Sequence, residues 1–101
     1  MSKLSTITDS NELLLEEAVH VGNQTAQLIV FNDDYNTFDW VIQCFIEVCN
    51  HSYEQAEQLS LIVHFKGKAS VKNGSKHELK QMKDELIDRG LSAVIETLVE
   101  D

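Results

Sequence analysis

The chain has 101 residues, 43% of them hydrophobic, and this length suits one domain with a single core. Seventeen acidic residues against eight basic ones give a formal net charge of −9. This charge argues against nucleic acid or an anionic membrane as a partner, because phosphate binding needs a basic surface. No apolar run approaches the length of a membrane span and no signal-peptide pattern opens the sequence, so we predict a cytoplasmic location.

The first 24 residues differ in composition from the rest of the chain. Residues 1–24 combine Ser, Thr, Asn and Glu with a small leucine cluster, and Gly22-Asn23 is a typical turn sequence. Such a segment buries little apolar surface by itself. We therefore predict a flexible N-terminal arm over residues 1–24 and one folded core over residues 25–101.

A strand followed by a helix is predicted at the start of the core. Residues 26–31, AQLIVF, form a short apolar run that is typical of a buried strand. Apolar side chains then recur at helical steps of three and four residues, at Phe38, Val41, Ile42, Phe45 and Val48. Thr37 or Asn36 can cap this helix, and residues 50–51 end it. Trp40 is predicted to lie in the core.

Two capping boxes predict the starts of two more helices. In residues 52–55 and again in residues 75–78, a serine is followed three positions later by Gln or Glu. The serine hydroxyl and the later side chain can each satisfy a backbone amide that the first helical turn leaves free. Because glycine commonly ends helices, the first of these helices should stop near Gly67 and the other at Gly90.

The remaining segments complete the predicted fold. Residues 67–72, GKASVK, are typical of a short strand, and Asn73-Gly74 is typical of a turn. Residues 91–98, LSAVIETL, predict a last strand. The element order is then β-α-α-β-α-β. We expect an α+β fold in which a three-stranded antiparallel sheet packs against three helices, mostly on one face.

The sequence offers little that suggests catalysis or metal binding. Cys44 and Cys49 fall on different faces of one predicted helix without ligands at zinc spacing, so we expect reduced, partly buried thiols. There is no Gly-rich phosphate loop and no activated nucleophile. Asp33, Asp34 and His64 could form an acid–base group, but the chain is short for an enzyme. We expect no cofactor, no metal and no enzymatic activity.

Three consecutive polar residues, Asn32-Asp33-Asp34, stand at the junction of the first strand and helix. Asn and Asp favour turns, and carboxylates stabilise a helix N-terminus, so an ordinary cap explains one or two of them. Three in a row among aromatic residues also suit a site for a positively charged group. His64, near the end of the second helix, is by itself better explained as a helix-end histidine favoured by the helix dipole than as a ligand-binding residue. These residue patterns leave both interpretations open.

Two longer segments together resemble a known family. FNDDYNTFDWVIQCF (residues 31–45), followed by AEQLSLIVHFKGKA (residues 56–69), is similar to the ClpS-type adaptor proteins of bacterial Clp proteolysis. The matching elements are Asn-Asp-Asp-Tyr at residues 32–35, Val41, and Val-His-Phe-Lys-Gly-Lys-Ala at residues 63–69. The resemblance covers residues 26–98, and two motifs at the right separation are more specific than either alone. It implies the same element order as the sequence pattern.

The resemblance also implies a function and a site. Family members bind N-degrons, which are proteins whose first residue is Leu, Phe, Tyr or Trp, and deliver them to a hexameric Clp unfoldase. By position, the free α-amino group would be bound by Asn32, Asp33 and His64. The side-chain pocket would be lined by Asn36, Phe38, Val41, Ser60, Val63 and Val94. Candidates for contact with the unfoldase are Lys80 and Lys83.

This sequence departs from the family pattern inside the implied pocket. Many members have Thr-Pro-Met where this chain has residues 36–38, Asn-Thr-Phe, and many have Met where it has Ser60. The preferred first residue, and whether β-branched residues are excluded, therefore stays open. Another hypothesis is a non-catalytic protein-interaction domain resembling the C-terminal domain of the ribosomal stalk protein. That domain lacks the Asn-Asp-Asp and Val-His pair, so we rank it lower.

Overall fold

Three strands and three helices make up the part of the chain that the computed structural model describes, residues 25–98. In chain order they are β1 (Thr25–Phe31), α1 (Phe38–Cys49), α2 (Tyr53–Lys66), β2 (Lys68–Ser75), α3 (Lys76–Asp88) and β3 (Ser92–Thr97). The predicted α+β order is confirmed. The predicted arm, residues 1–24, lies outside the described residues, as do the last three residues of the predicted core.

The sheet is antiparallel throughout, with strand order β2-β1-β3. β1 occupies the centre because it is the most apolar strand, with Ala26, Leu28 and Val30 almost wholly buried. Their side chains join buried residues from β2, β3 and all three helices in one continuous cluster. The helices therefore cover one face of the sheet, as predicted, and α1 contributes Phe45 to the middle of this core.

One turn prediction is wrong. Asn73 and Gly74 lie within β2, where they pair with Gln27 and Ala26 of β1. The start of β1 needs partners for its backbone amides and carbonyls, and these two residues supply them. Ser75 is the last residue of β2 and also the cap of α3, so the strand passes directly into the helix.

The helix starts agree with the predicted capping residues. At α1 the cap is Thr37 rather than Asn36, and its hydroxyl accepts a hydrogen bond from the amide of Trp40 at 3.1 Å. Both predicted capping boxes, at Ser52 and Ser75, are present at α2 and α3. Each helix thus has a polar side chain at its start to satisfy amides that would otherwise be unpaired.

Both cysteines are free and buried, as predicted for reduced thiols. Burial raises the pKa of the Cys49 thiol to about 11, so this thiol stays protonated at neutral pH. Among residues 25–98, no three His, Cys, Asp or Glu side chains are grouped so that they could hold a metal ion. Within the same residues, no helix combines the length and the apolar character needed to cross a membrane.

Candidate functional site

The two motifs of the sequence meet at the ends of β1 and α2. The amide of Asn32, just after β1, donates a hydrogen bond to the carbonyl of Gly67, just after α2, at 2.9 Å. Gly67 ends α2 in the left-handed conformation, with φ of 91°, which glycine adopts without steric cost. This link holds the Asn32-Asp33 pair beside the last turn of α2, which carries His64.

A groove of about 410 Å³ opens between this loop, α1 and α2. A cavity of this size lies within the usual range for small-ligand sites. The residues lining it include eight of the nine predicted for the amine site and the pocket: Asn32, Asp33, His64, Asn36, Phe38, Val41, Ser60 and Val63. The structure thus brings the two predicted sets together in one cavity.

The polar end of the groove is organised by the carboxylate of Asp33. One of its oxygens accepts hydrogen bonds from the amides of Tyr35 and Asn36, both at 2.8 Å. Its other oxygen accepts one from the Asn36 side-chain amide at 2.8 Å. Burial raises the pKa of Asp33, but these hydrogen bonds outweigh it and hold the pKa below its usual value. Asp33 is therefore ionised at neutral pH.

Asn36 connects the polar end of the groove to the segment between α3 and β3. Besides Asp33, its side-chain amide donates to the carbonyl of Gly90, just after α3, at 2.9 Å. Its role is therefore to fix the position of the Asp33 carboxylate, whereas the helix cap is Thr37.

Trp40 lies next to this connection and not in the core, so the prediction for it is wrong. The residue is 38% exposed, and its indole N–H donates to the carbonyl of Arg89 at 3.1 Å. The Arg89 guanidinium lies 5.9 Å from the ring centre and pairs with Glu47 and Glu85. A tryptophan needs a partner for its N–H, and the carbonyl at the end of α3 supplies it at the surface.

The walls that α1 and α2 contribute to the groove are largely apolar, apart from Ser60 and His64. Phe38 and Val41 face it from α1, and Val63 faces it from α2. Phe38 and Val41 are three residues apart, so they share one side of α1. The arrangement suits a ligand with a positively charged hydrogen-bond donor at one end and an apolar group next to it.

Three further residues line the groove without having been predicted to do so: Asp34, Leu61 and Phe65. Phe65 is 76% exposed and packs edge-to-face on His64, with ring centres 4.8 Å apart. Leu61 and Phe65 each follow a predicted site residue by one position and are four residues apart. That helical spacing is the signal in the sequence from which they could have been found.

Val94 lies outside the groove, contrary to its predicted place in the pocket wall. Its neighbours Ala93 and Ile95 pack towards the core, so Val94 points to the other side of β3 and is 41% exposed. It lines a separate groove with Lys80 and Lys83. Both of these lysines pair with Asp84 on α3.

Comparison with known proteins identifies the family. The family model described as ATP-dependent Clp protease adaptor protein ClpS matches residues 22–94, which is more than two thirds of the chain. A protein of this name from Oleidesulfovibrio alaskensis is 38% identical over 65 residues, covering 64% of this chain and 61% of that protein. Another, from Thermosynechococcus vestitus, is 33% identical over 67 residues, covering 65% of this chain and 71% of that protein. The chain thus matches less than two thirds of the length of the first relative.

A solved structure supports the fold independently. Agrobacterium tumefaciens ClpS2, whose structure was determined bound to L-phenylalaninamide, superimposes with a TM-score of 0.63. The match covers 73% of this chain and 96% of that one at 20% sequence identity, which is evidence for the fold alone. Together with the family match, it shows that this chain belongs to the ClpS family of adaptor proteins of the ATP-dependent Clp protease.

Proposed function

We propose that this protein is a substrate adaptor for proteins that begin with a bulky hydrophobic residue: Leu, Phe, Tyr or Trp. It binds the free α-amino group and the first side chain and delivers the protein to a Clp-family hexameric unfoldase for degradation. The observation that carries this proposal is the single groove that joins Asn32, Asp33 and His64 to the apolar wall of Phe38, Val41 and Val63.

The polar end of the groove suits an α-ammonium group. Such a group is positively charged at neutral pH, with a reference pKa of about 7.7–8.0, and presents three hydrogen-bond donors. Asp33 supplies an ionised carboxylate, Asn32 an amide oxygen, and His64 an imidazole nitrogen that accepts when it is unprotonated. An acetylated N-terminus lacks the charge and donors, so it leaves these acceptors unpaired.

The apolar walls suit the side chain of the first residue. Full burial of a Leu or Phe side chain contributes about 1.5–3 kcal/mol. Binding of the amine therefore sets the register of the peptide, and the apolar walls read the identity of its first residue. In this mechanism the protein needs neither cofactor nor covalent chemistry, and we propose that it is not an enzyme.

Delivery requires a second surface, and α3 offers the candidates. Lys80 is well exposed, and Lys83 lies on the same helix and lines the same groove as Lys80 and Val94. Both lysines lie about 50 positions after Asp33 in the sequence. They line a different groove from the one that Asp33 lines. Substrate and unfoldase could therefore be held at the same time.

Titration with matched peptides tests the proposed function. A fluorescent peptide beginning with Leu or Phe should bind, and the same peptide with an acetylated N-terminus should not bind measurably. A third peptide that carries the same hydrophobic residue at its second position controls for general hydrophobic binding. Equal affinity for the free and acetylated peptides, or no affinity for either, would contradict the proposal.

The affinity should also depend on pH in a defined way. It should fall as the pH rises through about 8, up to tenfold per unit, because the ligand amine loses its proton and charge there. On the acid side Asp33 loses its charge at a lower pH than an ordinary Asp, because its pKa is lowered, so neutralisation of Asp33 alone should not abolish binding down to pH 4. The Cys49 thiol, with its pKa of about 11, does not titrate in the alkaline range used.

The measurement is a series of peptide titrations between pH 4 and pH 9.5. The pKa of the peptide amine is determined separately by NMR, and the alkaline loss of affinity should begin at that pKa. Circular dichroism at each pH serves as the control for folding. A constant affinity between pH 7 and pH 9.5 would show that the charged amine is not what the groove binds.

A further inference from the structure

Ser60 is the buried polar side chain of α2. The residue is only 2% exposed, and its hydroxyl oxygen has no hydrogen-bond partner among the described residues. A serine inside a helix commonly bonds the carbonyl four residues earlier, but this hydroxyl does not. Buried polar groups without a partner are uncommon in folded proteins and often mark a site where something else binds.

Ser60 also lines the groove. A serine side chain has only two heavy atoms, so its hydroxyl lies at the cavity wall or directly behind it. On α2, Ser60 shares a face with Val63 and His64, which follow it by three and four residues and line the same groove. The groove therefore has a second polar group, separate from the Asn32 and Asp33 end.

The position of Ser60 along α2 indicates which part of a bound peptide it would contact. Four residues of helix rise about 6 Å, so Ser60 lies one turn back from His64, away from the end that suits the amine. A peptide whose α-amino group lies at the His64 end therefore directs its first side chain along the face that carries Val63 and Ser60.

We propose that Ser60 determines specificity by hydrogen bonding the polar tip of the first side chain, so that this protein prefers N-terminal Tyr to N-terminal Phe. The inference rests on the proposed function and names its preferred substrate class. Serine and phenol hydroxyls can each donate and accept, so they match each other. Phe has the same ring without the hydroxyl, and it leaves Ser60 unpaired.

The sign of the preference separates this proposal from a purely apolar groove. If the groove held only apolar side chains, burial of the tyrosine hydroxyl without a partner would favour Phe. With Ser60 as the partner, Tyr is favoured. One hydrogen bond between uncharged groups corresponds to a preference of about 3- to 10-fold.

The experiment compares two peptides that differ only in having Tyr or Phe first, each with its acetylated twin. For the wild-type protein we expect the Tyr peptide to bind about 3- to 10-fold more tightly than the Phe peptide. In Ser60→Ala the preference should disappear or reverse, mainly through weaker Tyr binding. Ser92→Ala, at an exposed serine of β3 outside the groove, should keep the wild-type ratio.

The outcomes distinguish this inference from the proposed function. Binding of both free peptides with Phe equal to or tighter than Tyr, in the wild-type protein, overturns the role of Ser60 and leaves the adaptor function standing. An unchanged ratio in Ser60→Ala does the same. Failure of both free peptides to bind overturns the proposed function itself. Because the wild-type ratio is decisive alone, the test does not depend on the variant folding, and Ser60→Thr, which keeps a hydroxyl, should retain the preference.

Discussion

Asp33→Ala should weaken the binding of a peptide that begins with Leu or Phe by about 10- to 150-fold. This range corresponds to the loss of one charge-assisted hydrogen bond, about 1.5–3 kcal/mol. The loss should reach the upper end, because Asp33 also accepts the hydrogen bonds from Tyr35 and Asn36 that shape the loop. Titration by fluorescence anisotropy at pH 7, with the fold checked by circular dichroism, measures the effect.

Two further variants separate the charge of Asp33 from its part in the loop. Asp33→Asn keeps an oxygen that can accept from the backbone amides, so it should bind the peptide almost as weakly while losing less stability. Asp39→Ala also removes one negative charge, but from an exposed position in the first turn of α1 outside the groove. It should bind like wild type. Equal affinities for Asp33→Ala and Asp39→Ala would refute the role of Asp33 as the counter-charge.

Phe45→Ala should lower the free energy of unfolding by about 3–5 kcal/mol, which is the usual cost of removing a buried aromatic ring. Phe45 is completely buried at the centre of the core cluster and does not line the groove. Small domains are stable by only about 5–15 kcal/mol, so the variant should be only marginally folded at 37 °C. Urea titration of the far-UV circular dichroism signal measures this loss.

Phe65→Ala is the matched control for the core variant. It removes the same ring from a mostly exposed position at the groove, so its stability should change by no more than about 0.5 kcal/mol. At low temperature, where both variants are folded, Phe45→Ala should keep the wild-type peptide affinity. A stability loss below about 1 kcal/mol for Phe45→Ala would contradict its assignment to the core.

The sequence predicted the fold well wherever local chemistry decides the structure. The capping boxes at Ser52 and Ser75 marked helix starts because the hydrogen bonds that they make are local. The turn predicted at Asn73-Gly74 was wrong because the start of β1 needs a paired strand there. That pairing joins residues almost 50 positions apart, and it outweighs the local turn preference. The prediction for Trp40 was wrong because its indole N–H needs a hydrogen-bond partner, and the structure supplies that partner at the surface, on the carbonyl of Arg89.

The groove, too, was predictable from the sequence only in part. Asn32, Asp33 and His64 were predicted to act together from the resemblance, and the structure places them along one cavity. The residue patterns alone could not separate a cap from a site, since the hydrogen bonds of Asp33 and Asn36 become visible only with the loop geometry. Val94 was misplaced because a shift of one residue along β3 moves a side chain to the opposite face. The missing partner of Ser60 depends on three-dimensional packing, which a serine in a sequence does not reveal.

The loop at the polar end of the groove is held at both ends by backbone carbonyls from distant parts of the chain. Asn32 is bonded to the carbonyl of Gly67, after α2, and Asn36 to that of Gly90, after α3. Neither bond can form until the segments that follow α2 and α3 have docked. A truncated chain that ends before Gly90 would therefore lack one of the two anchors of this loop. The shape of the polar end of the groove thus depends on a contact between two residues that lie 54 positions apart in the chain.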